Sequence, residues 1–219
     1  MDWELVRTSF WPLLSGTLTA TIPLALTSFV LGLALALVIA MMRISGQPLL
    51  SAVARFYVSV IRGTPLLVQL FVIFYGLPSV GLTIDPWPSA IIAFSLNVGG
   101  YAAEVVRAAI LSVPKGQWEA GHTIGMSRTL TLRRVILPQA ARVSVPPLSN
   151  TFISLVKDTS LASVVLVTEL FRQAQQIASS SQQFLLIYME AAAIYWVFCL
   201  VLSSGQSVLE KRLGRYVAR

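Results

Sequence analysis

Long stretches without charge constrain this chain more than any other feature. No Asp, Glu, Lys or Arg occurs between Arg7 and Arg43, Arg62 and Asp85, Asp85 and Glu104, or Glu190 and Glu210. Each gap is close to or above the roughly 18 apolar residues that cover ~30 Å of hydrocarbon. A further stretch, Arg142 to Glu169, is mostly apolar but carries Lys157-Asp158. Spanning segments of this length fold as helices, because the bilayer core offers no water to an unpaired peptide group. The expected fold is all-α: a polytopic membrane protein with five transmembrane helices near 14–42, 56–78, 87–111, 142–167 and 184–206.

Four such runs exceed what the core of one small soluble domain needs. The chain is 56% apolar and 11% charged, whereas soluble domains carry about 25% charged residues. The first run is too long for a cleaved signal peptide, and its flank holds Asp2 and Glu4 where such a peptide needs a basic segment. Residues 1–219 are read as one transmembrane domain.

The side of each loop follows from its Lys and Arg content. Arg43 and Arg55 lie in one loop, with Arg62 just beyond. Lys115, Arg128, Arg133 and Arg134 lie in another, flanked by Arg107 and Arg142, and Lys211, Arg212, Arg215 and Arg219 close the chain. Arg7, Arg172, Asp2, Glu4, Asp85 and Glu169 fall on the opposite side. The N-terminus is therefore expected outside and the C-terminus in the cytoplasm. The net charge of +7 is a topology signal and an attraction to anionic membrane lipid. A nucleic-acid partner is not indicated, since its footprint would gather the charge on one soluble face.

With one cysteine, Cys199, and one histidine, His122, no structural zinc site can be assembled within one chain. A phosphate-cradling loop needs Gly-Lys followed by Ser or Thr. None of Lys115, Lys157 and Lys211 is followed by either residue. No internal repeat of the kind found in secondary transporters is evident. Five spans are also few for a complete transport path, so a second copy of the chain or a paralogous partner is expected.

Residues 114–141 form a polar, basic, helix-prone loop between apolar spans. A short helix is predicted over Gln117–Thr123, a turn at Gly125, and a second helix over Arg128–Ile136 capped by Ser127. Pro138 is expected to break the ladder where the chain re-enters the membrane. Glu119-Ala120-Gly121, three residues, Gly125, nine residues, then Val135-Ile136-Leu137-Pro138 resembles the EAA signature of ABC importer permeases. Gly121 replaces the third alanine and Val135 the isoleucine. Three other tracts resemble the five-span polar amino acid branch, of the histidine, glutamine and cystine type. They are Arg62-Gly63-Thr64-Pro65-Leu66-Leu67-Val68-Gln69, Tyr101 to Arg107, and Asn150 to Leu161. The tract Lys115 to Ala120 and the last of these are most similar to cystine-type members.

The resemblance implies an ATP-driven importer for a polar or neutral amino acid such as cystine, in the bacterial inner membrane. An extracytoplasmic binding protein would deliver the substrate, and two ATP-binding cassette ATPase subunits would supply the drive. This chain would bind no cofactor and would not be an enzyme, ATP and Mg being used by the partner. Glu119 would anchor the coupling helix by charge-assisted hydrogen bonds. Ala120 and Gly121 would permit close contact, Gly125 would make the turn, and Leu137 and Pro138 complete the motif.

Ionisable groups at membrane depth are functional candidates by default. Asp158 and Thr151 stand seven residues apart on one helical face, with Asn150 and Ser154 near them. Asp158 could also cap a restarted helix at Thr159, which would expose backbone polar groups. Lys157 and Asp158 could equally be structural. Asn97 is a further cavity candidate. Glu104 and Arg107, at i and i+3, are expected to pair as a gate or brace, and Arg62 and Gln69 fall in the same group. Relatives that carry cationic amino acids can have an acid at the place of Thr151, so a neutral Thr argues against arginine or lysine. Glu190 fits either the outer interface or a cavity. An ion-coupled secondary transporter or channel, using Lys157 and Asp158 as a relay, is the alternative reading, and a membrane anchor without a pathway is a third.

Overall fold

Few residues in the apolar runs oppose helix, and the computed structural model, which describes residues 3–214, is helical apart from short connections. Helix α1 (Trp3–Gly16) leads through a π-helical turn at Thr17–Thr21 into α2 (Ile22–Ile44). The helix reaches back to Trp3, past the expected span start near residue 14 and through Glu4 and Arg7. These 42 residues would measure roughly 60 Å if straight, about twice the hydrocarbon thickness. Asp2, Arg215 and Arg219, used for orientation, lie outside the described residues.

The second span departs from the expected single helix over 56–78. It begins at Pro48 as α3 (Pro48–Gly63), breaks at Thr64-Pro65, and resumes as α4 (Leu66–Phe71), which continues in tighter and wider turns to Val80. The two parts meet at 105°. Pro65 excludes helical backbone at Thr64, whose φ of −121° and ψ of 144° are extended. The break leaves α3 carbonyls unpaired, and Gln69 answers them. Its Nε2 donates to the Ile61 carbonyl at 2.8 Å and to the Thr64 carbonyl at 3.2 Å.

Helix α5 (Pro86–Ser112) is the central element and α2 packs along it. Ala25, Ser28, Gly32 and Ala36 form the small-residue stripe of α2, which lets two backbones approach where lipid supplies no hydrophobic drive. A Cβ on Gly32 would lie 2.6 Å from that of Val98, and one on Gly100 would lie 2.6 Å from Ile61 on α3. Tyr57 of α3 donates its hydroxyl to the Leu96 carbonyl of α5 at 2.6 Å.

Short helices α6 (Lys115–Thr123) and α7 (Arg128–Thr131) follow, then α8 (Leu137–Asp158). Beyond Asp158 the chain tightens to a 3₁₀ segment, Thr159–Val165, and turns at Leu166 with φ of 66°. The local break after Lys157-Asp158 therefore exists, but Asp158 does not cap it. Its backbone is helical (φ −66°, ψ −20°) and its side chain makes no capping bond, whereas a capping residue needs extended backbone.

Amphipathic α9 (Leu170–Ser181) and long α10 (Phe184–Gly214) complete the chain. Leu13 of α1, Leu170 and Ala174 of α9, and Ile187 and Ala191 of α10 share one buried cluster. Glu169, expected in an outer loop, is fully buried. Its carboxylate caps α9, accepting from the backbone N–H groups of Phe171 and Arg172 at 2.8 Å each, and from the Tyr195 hydroxyl at 3.0 Å. Glu190 accepts from Ser9 of α1 at 2.5 Å, which assigns it to the contact between the first and last spans. Among the described residues three helices are long and apolar enough to cross a bilayer, and two bent pairs bring the number to five when each counts as one span.

Candidate functional site

The break in the second span and the polar face of α8 together make a cavity of about 410 Å³, within the roughly 300–1,000 Å³ typical of small-molecule sites. Asn97, Asn150, Thr151, Ser154 and Asp158 all line it. Thr151 and Asp158 project there together because seven residues are close to two helical turns. Lys157 does not line the cavity. It lies about 100° further round α8 and is exposed. Asp158 is the one carboxylate of the lining, and the other polar members are neutral amides, hydroxyls and a phenol.

Residues beyond the predicted set complete the wall: Thr64, Pro65 and Leu66 from the broken helix, Val98 and Tyr101 from α5, and Leu155 from α8. Thr64, Pro65 and Leu66 sit inside a tract already singled out, but only the bend brings them to Asp158. Gln69 connects the break to the cavity, its Oε1 accepting from Asn97 Nδ2 at 3.2 Å. Asn97 is thereby oriented, through Gln69, by the backbone of α3. Asn150 Oδ1 also accepts from Gln206 of α10 at 3.0 Å.

Further toward the end of α5, the predicted Glu104–Arg107 pair is present, with Arg107 Nη2 2.9 Å from Glu104. Arg43 was absent from the expectation and completes it, donating to the other carboxylate oxygen at 2.5 Å. Sequence distance hid this contact, since 61 residues separate the two. The ion pair fastens the end of α2 to α5. Arg62 stacks over the Tyr101 ring at 5.4 Å, a cation–π arrangement that places its charge beside the cavity wall.

Residues 114–141 form two helices joined at Gly125, whose φ of +78° favours glycine. Ser127 caps α7, its hydroxyl accepting from Leu130 N–H at 3.3 Å. Helix α6 starts two residues before the expected Gln117. Pro138 does not break the ladder. A π-helical turn at Leu132–Ile136 feeds directly into α8, with the Leu137 N–H bonded to the Leu132 carbonyl. Pro138 then falls in the first turn of α8, where a missing N–H is tolerated.

Glu119 and Ala120 are exposed on α6, while Gly121 is buried. A Cβ at Gly121 would meet Thr131 Cγ2 at 2.6 Å and Oγ1 at 2.7 Å. The close contact of Gly121 is thus made inside the loop, where Thr131 fills the space a third alanine would need. Leu137 packs beside fully buried Ile136 in a cluster with Ala40 of α2, Val106 and Ile110 of α5, and Trp118 of α6. The loop is therefore seated on the ends of three long helices.

Comparison with known proteins places this arrangement in a family. Residues 32–215 match the family described as "Binding-protein-dependent transport system inner membrane component". The chain is 64% identical to the L-cystine transport system permease protein TcyB of Bacillus subtilis (strain 168), over 100% of this chain and 94% of that one. It is 39% identical to the glutamine transport system permease protein GlnP of Escherichia coli (strain K12), over 97% of both. A solved structure described as "Crystal structure of an amino acid ABC transporter with histidines" superposes with a TM-score of 0.91 at 36% identity, over 97% of this chain and 99% of that one. A match over most of the chain, with the same helical fold, identifies it as a member of the family of binding-protein-dependent transport system inner membrane components.

Proposed function

We propose that this chain is the permease subunit of an ATP-driven amino acid importer and that its cargo is cystine. The observation that favours a net-neutral amino acid is the composition of the cavity wall. Asp158 offers one carboxylate for an α-ammonium group, and the amides and hydroxyls of Asn97, Asn150, Thr151 and Ser154 offer neutral hydrogen bonds. A second acid, which a cationic side chain would need, is absent from that wall. Cystine balances each of its two ammonium groups with its own carboxylate, and its choice among net-neutral amino acids rests on the identity to a cystine permease.

In this reading two permease subunits enclose the path, and an external binding protein loads it with the N-terminus outside. Two ATPase subunits bind ATP and Mg in the cytoplasm and move the loop 114–141. Glu119 anchors that loop, Gly125 shapes it, and Ile136, Leu137 and Trp118 pass its displacement to α2, α5 and α8. The Arg43–Glu104–Arg107 brace keeps α2 and α5 moving as a unit. Uptake of labelled cystine by the reconstituted complex should be displaced by excess unlabelled cystine. Arginine, glutamine and histidine in the same excess should leave most of the signal. Stronger displacement by arginine than by unlabelled cystine would refute the cargo assignment.

A further inference from the structure

A second cavity, of about 330 Å³, is a groove between α2, α8 and α10. Phe29 of α2 and Phe152 of α8 meet in its wall, edge to face at 5.1 Å. The remaining wall is aliphatic except for Gly205, Ser149 and Gln206. Both polar side chains have partners of their own. The Ser149 hydroxyl donates to the Val145 carbonyl at 2.9 Å, and Gln206 Nε2 donates to Asn150 at 3.0 Å and to Glu210 at 2.7 Å. Gly205 leaves its side of α10 bare, and a Cβ there would meet no atom within 4 Å. One end of the groove is basic. Arg142 continues the groove face of α8 one turn before Val145, and Arg212 continues that of α10 one turn after Leu209. Both arginines are exposed, whereas the neighbouring acid, Glu210, is engaged by Gln206.

We propose that an anionic phospholipid occupies this groove, its acyl chain against Phe29 and Phe152 and its phosphate at Arg142 and Arg212. Basic pockets between spans on the cytoplasmic side take anionic headgroups. With the N-terminus outside, the fourth span begins and the fifth ends on that side, so the lipid belongs to the cytoplasmic leaflet. A second copy of the chain is the poorer fit. Copies in one bilayer stand at the same depth, where the ends of α2, α3 and α5 carry Arg43, Arg62 and Arg107. A helix end from such a copy would set cation against cation, and a phosphate answers both arginines. Asn150, which Gln206 holds from the groove side, also lines the amino acid cavity. Occupancy of the groove is thereby felt at the cargo.

The test uses the intact permease–ATPase complex with its binding protein in membranes of phosphatidylcholine, with and without phosphatidylglycerol. Lipid retained by the extracted complex is weighed by native mass spectrometry. Wild type should keep phosphatidylglycerol in preference to phosphatidylcholine. Arg142→Gln and Arg212→Gln should each lower that preference about fivefold. Gly205→Leu, which fills the groove and favours helix, should retain neither lipid. Labelled cystine uptake should rise with phosphatidylglycerol in wild type and stay flat in Gly205→Leu. No preference in wild type, or undiminished retention in Gly205→Leu, would overturn the site. Uptake indifferent to phosphatidylglycerol would overturn its coupling to the cargo. A photo-crosslinker at position 205 should label lipid, and labelling of a second permease chain in its place would overturn the proposal in favour of an interface between copies. Retention is read without transport, so a normal lipid preference beside absent cystine uptake would refute the cargo and uphold the lipid site.

Discussion

Asp158→Asn is expected to reduce ATP-dependent uptake at least tenfold while leaving ATPase association unchanged. The carboxylate is the one anion in a wall of neutral polar groups. A hydrogen bond to a charged group contributes about 1.5–3 kcal/mol, which corresponds to roughly ten- to a hundred-and-fifty-fold in affinity. Removing the charge leaves the shape of the site almost unaltered, so the loss should appear in uptake and not in assembly. Thr151→Ala, which removes a neutral hydroxyl from the same face, should cost far less. Measuring uptake and copurifying ATPase on the same preparations separates the two. Equal uptake by Asp158→Asn and wild type would show that the carboxylate does not touch the cargo.

A second large effect is expected in the loop 114–141. Gly121→Ala should destabilise it by about 1–3 kcal/mol, the usual range for overpacking, because the added methyl would lie 2.6 Å from Thr131 Cγ2. Shortening the opposing side chain should relieve most of this. In the double variant Gly121→Ala, Thr131→Ala, the nearest remaining Thr131 atom is its Cβ, at 3.2 Å, a gap that small shifts accommodate. Uptake should therefore fall sharply in Gly121→Ala and recover partly in the double variant, although Thr131→Ala alone loses a hydroxyl that donates to the Ser127 carbonyl at 3.1 Å. Such non-additivity is the signature of direct contact. Additive losses would mean that Gly121 is small for a partner's sake and not for Thr131.

Much of this was legible in the chain itself, for identifiable reasons. Membrane spans announce themselves by length and by the absence of charge, and the runs ending at Arg43, Glu104 and Glu210 mark segments of three of them. The Thr64-Pro65 bend was passed over because the span was placed by its charge-free run, which begins after Arg62, two residues before the bend. The restriction came from two residues and its geometry from the reach of Gln69 to Ile61. Cavity residues on α8 could be grouped beforehand, since helical periodicity alone brings Asp158 and Thr151 to one face. Their joining with Thr64 and Tyr101 depends on packing between helices, which no local pattern encodes. Arg43 stayed unpaired for the same reason. Pro138 misled because proline breaks an established helix but is accepted in the first turn of a new one, and the π-helical turn before it was not foreseeable from composition. Glu169 resembled a solvent-exposed loop acid and is instead a buried cap, its charge answered by two backbone donors and Tyr195.

Energy entering through the loop around Glu119 and Gly125 is the central claim, and one measurement addresses it directly. Proteoliposomes holding the permease, its ATPase and its binding protein are assayed for labelled cystine uptake, with ATP and with an ion gradient in its place. Uptake should require ATP, fail with the ion gradient alone, and disappear when Glu119→Ala and Gly125→Val are introduced together. Undiminished uptake by that double variant, or uptake by the permease alone on an ion gradient, would contradict the account.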